Sequence, residues 1–208
     1  MYLKHVALSN IRSFHGERRV DLDLLRPDRT YAGWTVLAGR NGSGKTTLLR
    51  AIALAVSGPD VARQLVPDFE SWMSRGARRA TAKVEFAYAG DVDVFPADLL
   101  GEPGATFSGG LVWDVPQGKK VGDRPTLGLL RPRDADYDTM YPQRGPWSGD
   151  DGAGWFCAGY GPFRRLAGGS SEVQRLMRGT GPVSRLTSLF QEDASLAEGV
   201  SWLIVSIR

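Results

Sequence analysis

The chain has 208 residues, 42% hydrophobic and 24% charged, an ordinary globular balance with room for one real core and no internal repeat. No apolar run approaches the ~18 residues that a membrane helix requires, and the opening Met-Tyr-Leu-Lys-His carries no signal-peptide pattern. Net charge is +3, from 26 Lys and Arg of which only five are Lys. The small clusters Arg75/Arg78/Arg79, Arg164/Arg165 and Arg175/Arg178/Arg185 read as solvated surface rather than as a track for nucleic acid.

In chain order, residues 4–8 (Lys-His-Val-Ala-Leu) predict a first strand, and residues 10–14 with Gly16 form its connection. Val20, Leu22 and Leu24 alternate with Arg19, Asp21 and Asp23, the period of a strand with one wet face. Residues 34–38 (Trp-Thr-Val-Leu-Ala) are a short apolar run with strand character. Residues 39–47 then read Gly-Arg-Asn-Gly-Ser-Gly-Lys-Thr-Thr, a complete phosphate-binding loop of the form G-x-x-x-x-G-K-[ST]. Leu48, Leu49, Ile52, Ala55 and Val56 follow at helical spacing until Ser57 and Gly58 end the helix.

That spacing has a mechanical meaning. Gly39, Gly42 and Gly44 let the backbone curl around a phosphate chain with its N–H groups inward. Arg40, Asn41, Ser43 and Thr47 complete the loop. Lys45 would reach the β- and γ-phosphates, and the Thr46 hydroxyl would ligate Mg²⁺. A strand, a glycine loop and a helix N-terminus facing the loop make an anion site. The expected ligands are a nucleoside triphosphate and Mg²⁺.

Beyond the helix, Ala82, Val84, Phe86 and Tyr88 alternate with Thr81, Lys83 and Glu85, predicting another half-exposed strand. Residues 89–155 hold 12 Gly and 7 Pro, and they read as an insertion of short strands and long loops. Its apolar stretches are residues 111–113 (Leu-Val-Trp) and 126–130 (Thr-Leu-Gly-Leu-Leu). Residues 154–160 predict a fully apolar strand. Cys157, the only cysteine, excludes an internal disulfide and reads as a small buried residue in a reducing, cytoplasmic setting. A last helix from about Ala194 carries Leu196, Val200, Leu203, Ile204 and Ile207 along one stripe.

Residues 8–14 (Leu-Ser-Asn-Ile-Arg-Ser-Phe), two strands and the loop together resemble the N-terminal lobe of ABC-type ATPases that include RecF, the SMC proteins and the OLD-family nucleases. Residues 154–166 and 184–193 are similar to a bacterial subgroup of AAA-labelled ATPases found near anti-phage and DNA-processing genes. The resemblance implies an α/β P-loop NTPase, an ABC ATPase N-terminal lobe with an antiparallel β-subdomain and a loop-rich insertion. The chain would be a partial ATP-binding domain: residues 1–58 the β-subdomain start, loop and first helix, 59–153 the insertion, 154–208 a strand and helical region. The resemblance also implies that Arg12 lies near the nucleotide. It implies ATP-driven association, with a second copy or with a C-terminal lobe or partner chain. Work on DNA or on an effector nuclease would follow, with no membrane partner.

A complete ABC-type site also needs a carboxylate strand and a Leu-Ser-Gly-Gly signature. Residues 107–111 (Phe-Ser-Gly-Gly-Leu) and 111–114 (Leu-Val-Trp-Asp) resemble these, but they adjoin with no room for the intervening helix and are read as chance likenesses. His5 and His15 both precede the loop, so neither is a later switch histidine; Gln174 and Gln191 are glutamines without supporting context. The chain therefore reads as the N-terminal half of a longer ATPase, with little or no hydrolysis of its own. Two other readings stand beside it: a non-catalytic nucleotide-gated binding module, and a transporter ATP-binding subunit, against which the start of the chain argues.

Overall fold

The computed structural model describes residues 2–28, 30–31, 33–66, 68–87, 106–130, 157–162, 170–179 and 181–194. Two compact units divide the chain, one of residues 1–59 with 68–155, the other of residues 60–67 with 156–208.

The first unit is built on a five-stranded antiparallel sheet. Its strands are β1 (Tyr2–Ser9), β2 (Val20–Asp23), β3 (Arg79–Ala87), β4 (Thr106–Asp114) and β5 (Thr126–Leu129), in the order β2-β1-β3-β4-β5. Period-2 patterning decides which face is buried. Val6 stands opposite Leu22 and Val84, Leu8 opposite Val20 and Ala82, and Leu111 opposite Ala82 and Leu129. Val6, Leu8, Ala82, Val84, Leu111 and Trp113 are all essentially inaccessible to water and form the sheet's core face. The β3 alternation ends at Ala87; Tyr88 lies outside the described residues.

The stretch read as an insertion supplies two of these strands. β4 pairs with β3 along its whole length, so this segment extends the main sheet. The signature-like residues lie in this strand, with Ser108 fully buried. A buried strand residue cannot close on a partner's phosphate, which agrees with reading the likeness as accidental.

Helix α1 (Lys45–Leu65) starts at the phosphate loop. Leu48, Ala51, Leu54, Ala55 and Val56 are buried, whereas Leu49 is exposed. Gly58, at φ 81° and ψ 172°, breaks the helix where the Ser57/Gly58 pair predicts an end; Pro59 follows and a second helical segment begins.

Residues 34–38 depart from expectation. They pair with no strand among the described residues, and Trp34 and Val36 are 92% and 85% exposed. A strand exists only where its backbone groups pair with a neighbouring strand, and no described strand lies beside this run.

In the second unit, α2 (Ser171–Met177) is capped by Ser170, whose hydroxyl accepts from the Val173 amide at 3.3 Å. Helix α3 (Pro182–Phe190) opens with proline, whose missing N–H costs nothing there. Residues 157–160 are not a strand: their backbone bonds to α3 instead. The Gly159 amide donates to Arg185 O at 3.1 Å, Arg185 Nε donates to Cys157 O at 3.2 Å, and Ser188 Oγ donates to Gly159 O at 3.2 Å. A Cβ on Gly161 would fall 2.2 Å from Ser188 O, so this close approach requires glycine. Residues 154–156, Arg164/Arg165 and the predicted last helix beyond Ala194 lie outside the described residues.

Candidate phosphate-binding site

The loop is shaped by its own turn chemistry. The Ser43 amide donates to Arg40 O at 3.2 Å, closing a four-residue turn with Gly42 third at φ 79°. A turn with positive φ at that position favours glycine. Gly44 follows at φ 93°, and the Leu48 amide then donates to Gly44 O at 2.8 Å, the first bond of α1. The amides of the first helical turn have no carbonyl one turn back to bond with, so the helix offers its positive end to the loop.

Lys45 ties the loop together. Its Nζ donates to Gly39 O at 2.7 Å, to Arg40 O at 2.8 Å and, at a long 3.4 Å, to Ser43 Oγ. The last of these is the contact most readily exchanged for an anionic oxygen. Gly39 and Arg40 thus join the site through their carbonyls rather than by lining it.

A cleft of about 500 Å³ opens here, lined by Arg12, Ser13 and the loop from Asn41 to Thr47. The sequence-predicted Asn41, Gly42, Ser43, Gly44, Lys45, Thr46 and Thr47 meet Arg12 at this one place. Both charged side chains lining the cleft, Arg12 and Lys45, are cations, which suits a polyanion. A larger hollow of about 660 Å³ is bordered by Asp68, Glu70 and Asp123 among others. Its carboxylates would repel phosphate, and size alone does not make it the site.

Arg12 reaches the cleft through an unusual backbone. Asn10 and Arg12 both hold positive φ, at 56° and 49°, sparsely populated for side-chain-bearing residues. The Arg12 amide donates to Trp72 O at 2.8 Å, and Ser74 Oγ donates to Arg12 O at 2.6 Å. Between the two strained residues, Ile11 is fully buried and bridges to Phe14 and Met73. Phe14 completes the wall: a Cβ on Gly44 would lie 2.6 Å from its Cζ. Sequence reasoning did not find Ser13, Phe14, Trp72 or Ser74 as members of the site. Ser13 and Phe14 are in the quoted 8–14 run, but Trp72 and Ser74 lie some 60 residues away with no local signal.

The residues present fit a nucleoside triphosphate with Mg²⁺: a glycine cradle that a side chain would fill, a helix N-terminus, two cations and the exposed Thr46 hydroxyl. Among the described residues no group of three or more His, Cys, Asp or Glu could hold a metal by itself, and the residues lining the cleft include no carboxylate.

Residues 5–92 match the family model of an AAA domain, a span that holds most of β1, all of β2 and β3, the loop and α1. No curated protein matches the chain. A solved structure, from work on the structural biochemistry of ATP-driven dimerization and DNA-stimulated activation of SMC ATPases, is similar at 18% identity and TM-score 0.39. The alignment covers 62% of this chain and 69% of that one. The glycine loop at residues 39–47 lies inside the matched span.

Proposed function

We propose that this chain is the ATP-binding lobe of an ABC-type ATPase of the RecF, SMC and OLD-like group. In this reading, nucleotide binding at residues 39–47 drives association with a second copy or a complementary lobe. That association is coupled in the cytoplasm to DNA processing, repair or activation of an anti-phage effector nuclease.

The observation that carries the reading is the cationic glycine cradle at the start of α1, with Arg12 beside it. Lys45 and the first-turn amides are set to bind the phosphate chain and stabilise negative charge on the transferred phosphoryl. Asn41, Gly42, Ser43 and Gly44 shape the loop around it, and Thr47 sits just inside the helix. Thr46 would hold Mg²⁺, which when bound neutralises charge on the phosphates.

The carboxylate-free lining favours a second reading, a nucleotide-gated binding module without turnover, because no side chain there can polarise a water. Light scattering on the 208-residue protein with and without Mg-ATP, with Lys45→Ala as control, tests the coupling. ATP-dependent, Lys45-dependent dimers support association with a second copy; tight ATP binding with no change in mass overturns that route and leaves a complementary lobe as the partner. Phosphate release tests the half-enzyme reading: background turnover is expected of this chain alone, and Lys45-dependent turnover near one per second, within the ordinary range for enzymes, would overturn it by revealing a catalytic carboxylate.

A further inference from the structure

We propose that Trp72 is a positioning residue for nucleotide binding, a buried aromatic platform that presents the Arg12 guanidinium to the triphosphate; this rests on the ATP-binding reading above. The Arg12 guanidinium carbon lies 4.9 Å from the Trp72 ring centroid. Trp72 itself is 3% exposed and stacks on the fully buried Trp113, with ring centroids 6.3 Å apart and planes 10° apart. Phe69 packs against the far member, 5.9 Å from Trp113. The platform is therefore rooted in the sheet core through β4, while the cation it carries is exposed at the cleft.

The backbone reinforces the arrangement from both sides. Arg12 receives a hydrogen bond from Ser74 and gives one to Trp72. Asn10 repeats the pattern: its carbonyl accepts from the Ser74 amide at 2.9 Å and its side chain donates to Arg79 O at 2.9 Å. Two left-handed residues in three are costly, and such strain persists only where its surroundings over-determine it. What the strain achieves here is the delivery of one arginine to one place. Arg12 makes no ion pair among the described residues. An arginine held against an aromatic face keeps its planar fork of N–H donors for an anion, and it loses less freedom on binding than a free side chain.

The test is a double-mutant cycle on Mg-ATP affinity by calorimetry, with Arg12→Ala, Trp72→Leu and the pair. Arg12→Ala should weaken binding about tenfold to a hundredfold, the range for one charge-assisted contact. Trp72→Leu should weaken it about threefold to tenfold. The double variant should bind no worse than Arg12→Ala alone, because the platform acts only through the arginine. Trp72→Phe, which keeps an aromatic face, should restore affinity to within about threefold of wild type. Should Trp72→Leu fail to fold, the same cycle is run with Trp72→Met, which keeps bulk without a ring; its loss must again vanish without Arg12, and wild-type affinity in it overturns the proposal. Losses that add in the double variant would make Trp72 a core residue only and overturn the proposal, as would wild-type affinity in Trp72→Leu. Lys45→Ala is measured alongside. If it binds ATP as the wild type does, the ATP-binding reading itself fails and the proposal with it; if it is weakened while the tryptophan losses add, only the platform fails.

Discussion

Replacing Gly44 by alanine strikes the cleft at its tightest point. Two costs add. At φ 93° an L-residue is strained, by about 1–2 kcal/mol, partly offset by the lost freedom of glycine in the unfolded chain. The new Cβ would also stand 2.6 Å from Phe14 Cζ, so the ring must retreat by about 1 Å to reach ordinary carbon contact. The Phe14 backbone is held by the bond from its amide to Ile11 O at 2.8 Å, so relief must come from turning the ring, which takes it off the loop. Overpacking of this kind costs about 1–3 kcal/mol, giving a total of about 2–4 kcal/mol. For a chain of this size that is a fall in Tm of about 4–16 °C. Gly118→Ala is the control, since Gly118 has a similar φ of 82° with no atom within 4 Å of its Cβ. It should show the strain alone. Scanning calorimetry reads both stabilities, and titration with Mg-ATP should show Gly44→Ala weakened at least about tenfold, one charge-assisted contact or more, with Gly118→Ala unaffected. Equal Tm values and equal affinities for the two variants would refute the packing of Phe14 on the loop.

Ser108→Ala should be neutral or stabilising by up to about 1 kcal/mol, because Ser108 Oγ is buried with no hydrogen-bond partner among the described residues. A loss of ATP-dependent association in that variant, with its fold intact by circular dichroism, would restore Ser108 as a signature residue. Burial pushes the Glu85 carboxyl up, but the 2.7 Å bond from Lys83 and the charges of Lys83, His5 and Lys4 outweigh it and hold its pKa below the usual carboxylate value. A lowered folded pKa means stability that is present above the unfolded value of about 4.3 and lost as pH falls through the folded one. The Tm of Lys83→Met should therefore lie below wild type at neutral pH and converge with it in acid; a constant gap would contradict the pairing. Burial raises the Cys157 thiol, against a smaller opposing effect of Arg185, so iodoacetamide should alkylate it more slowly at pH 8 than a free thiol. Alkylation at the free-thiol rate would show the site open.

Local pattern made much of this molecule legible. The predicted first strand and the two period-2 runs became β1, β2 and β3, and the glycine spacing at 39–44 appeared as two positive-φ residues at a helix N-terminus. What failed to show was set by distant partners. Residues 34–38 have strand composition, but a strand exists only beside another strand, and no described strand pairs with them. Residues 157–160 read as the end of an apolar strand, yet their backbone bonds to α3, and a Cβ on Gly159 would stand 2.9 Å from Leu189 of that helix. Trp72 reads as an ordinary core aromatic. Its place beneath Arg12 depends on a turn 60 residues earlier, which no local window reports.

The claim on which the rest depends is that the 39–47 loop holds ATP, and calorimetric titration of Mg-ATP into wild type and Lys45→Ala tests it most directly. Lys45 is not buried, so its removal opens no core; it deletes one charge-assisted phosphate contact together with the bonds of Nζ to Gly39 O and Arg40 O at 2.7 and 2.8 Å. The account predicts saturable binding to the wild type and a tenfold to hundredfold weaker constant for the variant, corresponding to about 1.5–3 kcal/mol. Equal affinities, or no binding to the wild type, would contradict it.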